Sequence, residues 1–426
     1  MKPVLPVLAL LFVGCDSSII RTVSDTGGQG DLDTDPETET DSVEIIDGNG
    51  DTGDTEPEEQ DDDAIYAAFF DPTVIQTVDI VLSDRAIRQL NWGTEGYVQG
   101  DATINGVFFP DIGVRLKGSS TYQDLDCDDG VCKAAFKLKL NEFVVDQRYG
   151  DLERITLNNM SSDYTQSKEV IVYDLLNRQT QLASRCSYAR VTLNGEAWGL
   201  YANLESADDR WVRRRFPDAT GNLWGTANYY GDFYSQYLDT GWVSKSGDGS
   251  TATLEAITAA LDTYQGDFFG ELGPLVNVDQ WLEYWAWCVA TGNYDGYPFT
   301  LNDVLIYANP ADGNRINFAP WGTDESWDEY EYSGRTWNVI GGRLGAACLY
   351  DEACVTELKT RIGEAVDAYD AIDVAGIAQA AWDLSEEDVA TDPKRAFAPA
   401  DVWYYRDYYE GVMPGYGDYV RRTVGI

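Results

Sequence analysis

Acid and amide side chains are concentrated between residues 293 and 327, where their spacing could support metal-dependent chemistry. Two apolar runs separated by Asn-Pro-Ala-Asp-Gly predict an antiparallel hairpin over 304–321. This hairpin places Asp303 and Asp324 at one open end, and Asp295 lies shortly before Asp303. Carboxylates that converge on one point need a cation, and a hard divalent ion with oxygen ligands fits. The alternative is an exposed hairpin with ordinary acidic tips.

An apolar helix is predicted to position these groups. The pattern over 278–291 begins with Asn277 and Gln280 spaced as a capping box and ends at Gly292. Its run of tryptophan, tyrosine, alanine and valine leaves almost no polar face, which is typical of a core helix. Such a helix is a rigid platform that delivers Asp295 at its C-terminal edge.

The overall composition excludes several classes of mechanism. The chain has no histidine, so a Ser-His-Asp triad, a Cys-His pair, an imidazole general base and imidazole-ligated zinc are all excluded. The formal net charge of −43 argues against nucleic acid as a partner, because binding a polyphosphate requires a basic surface. Catalysis must therefore use carboxylates, lysine, hydroxyls or a metal.

Two predicted strands are basic within this acidic chain. Alternation places apolar residues on one face of each strand and basic residues on the other. The basic residues are Arg115, Lys117, Lys133, Lys137 and Lys139. They would form a local positive surface suited to a small polyanion such as a nucleoside triphosphate, and the Gly118-Ser119-Ser120 turn would add free amides and hydroxyls. The alternative is two solvated strand faces that neutralise nearby acids.

A predicted helix from Asp163 to about Arg178 carries a carboxylate in an unusual place. On a 3.6-residue period Glu169 falls inside the apolar arc of this helix. A carboxylate there needs a cationic partner, and a lysine from the neighbouring sheet could provide one. The alternative is a glutamate at the rim of the helix in a surface ion pair.

The chain divides into three parts. Residues 1–15 are predicted to be a bacterial lipoprotein signal in which Cys15 becomes the lipidated first residue, and an ordinary secretory signal is the alternative. Residues 16–63 are acidic and low in apolar residues, which predicts a disordered tether. Residues 64–426 are predicted to form the folded domain, anchored to the membrane only through the lipid.

Patterning of the folded part predicts an α+β protein, strand-rich in its first half and mostly helical in its second. Strands are predicted at 78–82, 112–117, 136–140, 155–157, 190–193 and 200–204, and further helices at 253–264, 352–369 and 397–410. Asn194-Gly195 predicts a hairpin turn between the last two strands.

Six cysteines remain when Cys15 is set aside. Their sequence positions favour two local disulfides, Cys127 with Cys132 and Cys348 with Cys354. Cys186 and Cys288 could pair with each other or remain buried thiols.

Several segments together resemble the CotH kinase family of spore-coat proteins. They are Arg115 to Ser120, Lys133 to Leu140, Leu157 to Met160 with Asp163, Tyr173 to Leu176, Leu193 to Tyr201, Glu205, Gly221 to Leu223, Gly292 to Gly296, Asn302 to Tyr307 and Pro320-Trp321. The resemblance implies an atypical protein-kinase-like fold that binds ATP with Mg²⁺ or Mn²⁺. It also implies phosphorylation of serine or threonine in exported or surface proteins, and an extracytoplasmic location.

The resemblance also implies roles for individual residues. Asp295 matches the catalytic aspartate, Asn302 or Asp303 the metal-facing amide, and Asp324 a further metal ligand. The residues implied in cofactor binding are Arg115, Lys117, Ser119, Lys133, Lys137, Glu169 and Glu205. Such roles are coherent, because phosphoryl transfer requires mainly positioning and charge stabilisation.

Two positions depart from the family pattern. Gly322 follows the Pro-Trp pair where aspartate is usual, and Gly225 stands where lysine is frequent. A catalytically inactive, kinase-like surface adhesin or scaffold is therefore a rival interpretation. The 13 tryptophans and 27 tyrosines suggest a third, a carbohydrate-binding protein, although core packing explains most of these aromatics.

Overall fold

Alternating apolar residues in the first half of the chain build a closed barrel. The computed structural model describes residues 61–94, 96–118, 122–126, 133–180, 182–227, 231–327 and 337–426. Within them, the barrel strands are β1 (Ile75–Leu82), β2 (Val98–Ile104), β3 (Val107–Lys117), β4 (Ala135–Lys139), β5 (Arg154–Asn158), β6 (Cys186–Leu193) and β7 (Glu196–Leu204). Their order is β1-β2-β3-β4-β5-β7-β6, and β6 closes the barrel by pairing parallel to β1.

The barrel interior is apolar, and its basic residues point away from it. Val114, Leu116, Phe136 and Leu138 are all buried in the barrel core. Arg115 lies opposite Lys137 in the β3–β4 register, on the other face of these strands. The predicted separation of an apolar and a basic face is therefore confirmed for this pair of strands. The Asn194-Gly195 turn joins β6 to β7 as predicted, with positive φ angles of 53° and 81°.

A second sheet follows the barrel. It consists of β8 (Leu223–Thr226), β9 (Trp242–Ser246), β10 (Val304–Asn309) and β11 (Arg315–Pro320) in the order β11-β10-β8-β9. The predicted hairpin is confirmed, since Val304 pairs with Pro320 and Asn309 with Arg315. The open end of this hairpin therefore holds the residues that flank it, and the Trp321 amide donates to the Asp303 carbonyl at 3.3 Å.

Helices surround the second sheet and one side of the barrel. They are α1 (Asp62–Phe69), α2 (Asp84–Asn91), α3 (Lys168–Asn177), α4 (Asp209–Arg215), α5 (Leu238–Gly241), α6 (Ala252–Thr263), α7 (Val278–Ala290), α8 (Tyr297–Thr300), α9 (Arg343–Tyr350), α10 (Glu352–Asp370), α11 (Val374–Thr391), α12 (Pro399–Val412) and α13 (Tyr416–Val424). The molecule is thus an α+β protein, as predicted. Core helix α7 has the predicted cap, in which the Asn277 side chain accepts from the Gln280 amide.

Two predicted boundaries need correction. Helix α3 begins at Lys168 and not at Asp163, because residues 163–167 form a turn whose Asp163 carboxylate accepts hydrogen bonds from the Ser167 and Lys168 amides. The predicted tether extends to residue 63, but Asp62 and Asp63 form the first turn of α1. This helix is anchored by its buried Tyr66 and Phe69.

The cysteine prediction is confirmed where the structure describes it. Cys348 and Cys354 form a disulfide between α9 and α10, and Cys186 and Cys288 are buried free thiols. The predicted pair of Cys127 and Cys132 lies outside the described residues, as does Cys15. Among the described helices, none combines the length and apolar character needed to cross a membrane.

Candidate active site

The loop after α7 brings two carboxylates into direct contact. The Asp295 and Asp303 side chains share a hydrogen bond, and Asp295 is buried whereas Asp303 is half-buried. Asp295 also accepts from the Asn302 amide at 3.0 Å and from the Thr300 hydroxyl at 2.9 Å. These contacts fix the Asp295 carboxylate beside Asn302 and Asp303. The predicted convergence of Asp295, Asp303 and Asp324 on one metal point is not found, because no group of three acids in the described part of the chain is arranged to hold a metal.

Burial and like charge raise the pKa values of both acids of this pair. Burial raises the pKa of Asp303 well above its usual range, and the carboxylates of Asp295 and Asp324 raise it further. Burial also raises the pKa of Asp295, while hydrogen bonds from Asn302 and Thr300 oppose this rise. Two acids in this arrangement cannot both ionise without a neutralising partner.

Asp324 lies near the pair on the segment after β11. Its carboxylate accepts a hydrogen bond from the Ser162 hydroxyl, which belongs to the segment before α3. The Asp324 charge also raises the pKa of Asp295, Asp303 and Glu169, so it acts electrostatically on the carboxylate pair and on α3 together. Asp324 is therefore the acid that connects the two halves of the site.

On the barrel side, the side chain of an asparagine links a lysine and a glutamate by hydrogen bonds. Lys117, at the end of β3, donates a hydrogen bond to the Asn158 side-chain oxygen at the end of β5. The Asn158 amide donates to both Glu169 oxygens, at 2.7 and 2.8 Å. Glu169 is buried, as its place in the apolar arc of α3 predicted, and its cationic neighbour from the sheet is Lys117.

Burial and neighbouring charges both shift the pKa values of Lys117 and Glu169. Burial lowers the pKa of Lys117, while the carboxylates of Glu169, Asp324 and Asp303 oppose that change. Burial also raises the pKa of Glu169 to about 8, Asp324 raises it further, and Lys117 lowers it. The charges of all three acids therefore act on the Lys117 ammonium.

Comparison with known proteins identifies the family of the chain. The sequence model of the family described as CotH kinase protein matches residues 114–370, more than half of the 426-residue chain. The chain belongs to the CotH kinase protein family. It is also 24% identical over 184 residues to inner spore coat protein H of Bacillus subtilis (strain 168), which covers 41% of this chain and 49% of that protein. The chain thus spans about half the length of this curated relative.

The two departures from the CotH pattern have local explanations. A Cβ at Gly322 would lie 2.3 Å from the Asp303 carboxyl carbon, and Gly322 has a φ of +61°. Any side chain at position 322 would therefore displace Asp303. At Gly225, a Cβ would meet the Lys245 side chain at 3.2 Å, so a lysine of strand β9 already fills the space beside this position.

Three predicted phosphate-binding residues have different outcomes. Arg115 is buried, with its guanidinium 5.4 Å from the Tyr97 ring centre, and Lys137 is half-buried on the adjacent strand. Both remain on the basic face that also carries Lys117. Lys133 does not join this surface and is corrected here: it is 1% exposed and forms a 2.7 Å ion pair with Asp392. It also donates to the Leu200 carbonyl.

Glu205 also requires correction, because its carboxylate already has three partners. It forms a 2.5 Å ion pair with Arg215, and it accepts hydrogen bonds from the Tyr66 hydroxyl and the Arg185 amide. These contacts join the end of β7 to α1 and α4, which gives Glu205 a structural role. Ser119 lies outside the described residues.

Three contributing residues were not assigned from the sequence. Asn158 bridges Lys117 and Glu169, Ser162 binds Asp324, and Asp392 pairs with Lys133. Alternation along β5 could have identified Asn158, since it lies two residues from the polar Thr156 at the strand end. Asp392 lies 259 residues from Lys133 in the chain, and no local signal marks it.

The donor chemistry of the site fits a divalent cation bound together with phosphates. Among the described residues, no group of three or more acidic or cysteine side chains is arranged to hold a metal by itself. Mg²⁺ in phosphoryl-transfer sites is commonly held by one or two carboxylates and the substrate phosphates, so a closed three-acid cage is not required. The Asp295–Asp303 pair is such a donor set, and it shares a hydrogen bond where a cation would neutralise it.

Proposed function

We propose that this protein is an extracytoplasmic, ATP-dependent atypical protein kinase that phosphorylates serine or threonine in exported or surface proteins. The observation that carries the proposal is that hydrogen bonds fix both the Asp295 carboxylate and the Lys117–Asn158–Glu169 chain, and that the Asp324 charge acts on acids in both groups. Membership of the CotH kinase family supports kinase activity at the family level. A surface location is supported by the similarity to inner spore coat protein H.

The residues divide the work of phosphoryl transfer between them. Asp295 is held by Asn302 and Thr300, so it can orient a substrate hydroxyl and accept its proton. Asp303, Asn302 and Asp324 are the oxygen donors that would hold a divalent cation. A bound Mg²⁺ or Mn²⁺ neutralises phosphate charge.

The basic face of the barrel would bind the nucleotide phosphates. The charges of Glu169, Asp324 and Asp303 act on Lys117, and Arg115 and Lys137 lie on the same face of β3 and β4. Glu169 and Asn158 hold the Lys117 ammonium in place. Such preorganised positive charge stabilises the transferring phosphoryl group without reorganisation during the reaction.

A transfer assay tests this proposal. The purified protein, with labelled ATP, Mn²⁺ and candidate surface proteins, should transfer the γ-phosphate, and Asp295→Asn should reduce the rate by about 10²-fold or more. The matched control is Asp239→Asn, an exposed acid at the start of α5, which should leave the rate unchanged. Equal rates in wild type and Asp295→Asn would end the assignment of Asp295.

A non-catalytic surface adhesin or scaffold with the same fold is the second candidate. Gly322 favours it, because the family resemblance implies aspartate at that position. A nucleotide-binding protein at 100 times its Kd gains about 2.7 kcal/mol of stability from its ligand. The scaffold predicts no change in melting temperature with ATP and Mn²⁺.

A further inference from the structure

The C-terminal helices α11 and α12 form hydrogen bonds with the segment of residues 160–168, which leads into α3. Helices α11 and α12 lie beyond residue 370, where the family match ends. They make three polar contacts with this segment: Arg406 Nε donates to the Thr165 carbonyl at 3.0 Å, Trp382 Nε1 to Ser167 Oγ at 2.9 Å, and Lys168 Nζ to the Tyr409 hydroxyl at 3.2 Å. A part of the chain outside the matched region thus contacts the start of α3, the helix that carries the site residue Glu169.

Two residues of this segment have backbone conformations that the surrounding contacts must stabilise. Met160 and Gln166 are not glycine, yet they have positive φ angles of 54° and 56°. The Gln166 side chain donates to the Met160 carbonyl at 2.7 Å, and Asp163 accepts from the Ser167 and Lys168 amides at 2.6 and 2.7 Å. Strained backbone of this kind persists only when the surrounding structure determines it.

Arg406 is the central residue in the contact between the C-terminal helices and this segment. It is 4% exposed, and its guanidinium also donates to the Trp382 carbonyl at 3.3 Å and to Ser385 Oγ at 3.0 Å. These partners are neutral oxygens, although arginine remains charged in proteins. A buried guanidinium is costly, and here its planar donors fix α11, α12 and the 163–167 turn in one geometry.

We infer that Arg406 is a positioning residue that sets the Glu169 carboxylate for its hydrogen bonds with Asn158, which links it to Lys117. Glu169 lies in the first turn of α3, two residues after Ser167, so a shift of the 163–167 turn moves its carboxylate. Its two hydrogen bonds from Asn158 are the contacts that such a shift would break first. This inference rests on the proposed function, in which Lys117 binds phosphate.

Kinetics of a double-mutant cycle test the inference. Arg406→Met should reduce kcat/KM for ATP by about tenfold, the effect of one lost charged hydrogen bond, and Arg406→Lys should restore part of it. In a Glu169→Gln background the same Arg406→Met change should cause no further loss, because its effect passes through Glu169. Equal losses in both backgrounds would show a merely structural role and overturn the inference.

Arg421→Met is the matched control. Arg421 lies on α13 and pairs with Asp367 and Asp370 of α10, and this variant should lower stability without changing kcat/KM. If Arg406→Met does not fold, Trp382→Phe carries the test, because it removes the indole donor to Ser167.

Hydrogen exchange separates this inference from the proposed function. Without nucleotide, the amides of residues 167–169 should exchange faster in Arg406→Met than in wild type or Arg421→Met. A wild type without phosphoryl transfer would end the proposed function, yet faster exchange would still support the positioning of Glu169. Unchanged exchange at these amides would overturn the inference even in an active kinase.

Discussion

At the scale of single residues, the site is defined by charges that burial forces together. Asp295 and Asp303 share a hydrogen bond, and Lys117 and Glu169 meet through Asn158. Burial raises the pKa of the three acids and lowers the pKa of Lys117, so it favours the neutral form of each group. Shifted pKa values of this kind are common at functional sites. Such arrangements cost stability in the free protein and gain it when a ligand supplies the missing charge.

The raised pKa of Glu169 predicts a dependence of stability on pH. Its folded pKa of about 8 lies above the usual glutamate value of 4.5, so the folded state retains a proton that the unfolded state releases. This contribution is complete below pH 4.5 and is lost as the pH rises toward 8. Glu169→Gln should therefore raise the melting temperature of the metal-free protein at pH 8.5 and change it little at pH 4.5. An equal shift at both pH values would contradict the assignment.

Gly322 provides a second test at this scale. Gly322→Ala should bring its Cβ against the Asp303 carboxyl group and reduce both stability and phosphoryl transfer. Gly313→Ala is the matched control: it has a φ of +63° and open space around a Cβ, so it carries only the backbone cost of about 1 kcal/mol. Equal losses of activity in the two variants would show that the contact with Asp303 is irrelevant.

At the scale of elements, the site depends on strand ends and loop geometry that pack against a buried helix. The ends of β3 and β5 present Lys117 and Asn158, α3 presents Glu169, and the open end of the β10–β11 hairpin presents Asp303. Core helix α7 supports the loop that holds Asp295. The elements are rigid and the reactive groups lie at their ends, as is usual for functional sites.

The buried pair of Lys133 and Asp392 predicts a structural role for both residues. Lys133→Met leaves Asp392 buried without its partner, and it should cost about 3–5 kcal/mol of folding stability. Adding Asp392→Asn should recover part of this loss. The control Lys139→Met removes a half-buried pair with Glu142 and should cost about 1 kcal/mol or less. A small cost for Lys133→Met, with lost ATP binding, would restore its predicted phosphate contact.

Much of the element pattern could be predicted from local sequence signals. The β10–β11 hairpin, the cap of α7 and the burial of Glu169 all follow from turn residues, capping spacing and periodicity. Strand β2 was missed because Gly100 and Asp101 interrupt its apolar pattern, and helix α11 was not predicted. The start of α3 was misplaced because Asp163 caps it across a turn.

At the scale of the whole molecule, contacts between distant segments complete the site. Asp324 binds Ser162 across 162 residues of sequence, and Arg406 reaches Thr165 across 241. No local pattern encodes such pairs, which is why sequence analysis identified the acids but assigned Lys133 and Glu205 incorrectly. The family resemblance identified the segments that carry candidate site residues, and the fold shows which of their side chains are in contact.

The most direct test of the central claim is the thermal shift that ATP with Mn²⁺ produces in wild type, Asp303→Asn and Lys117→Met. These variants change one residue on each side of the site. We predict a rise in melting temperature for wild type and little or no rise for either variant, because both sides must contact the same metal-nucleotide complex. The same rise in all three proteins, or none in wild type, would contradict a single site built from both sides.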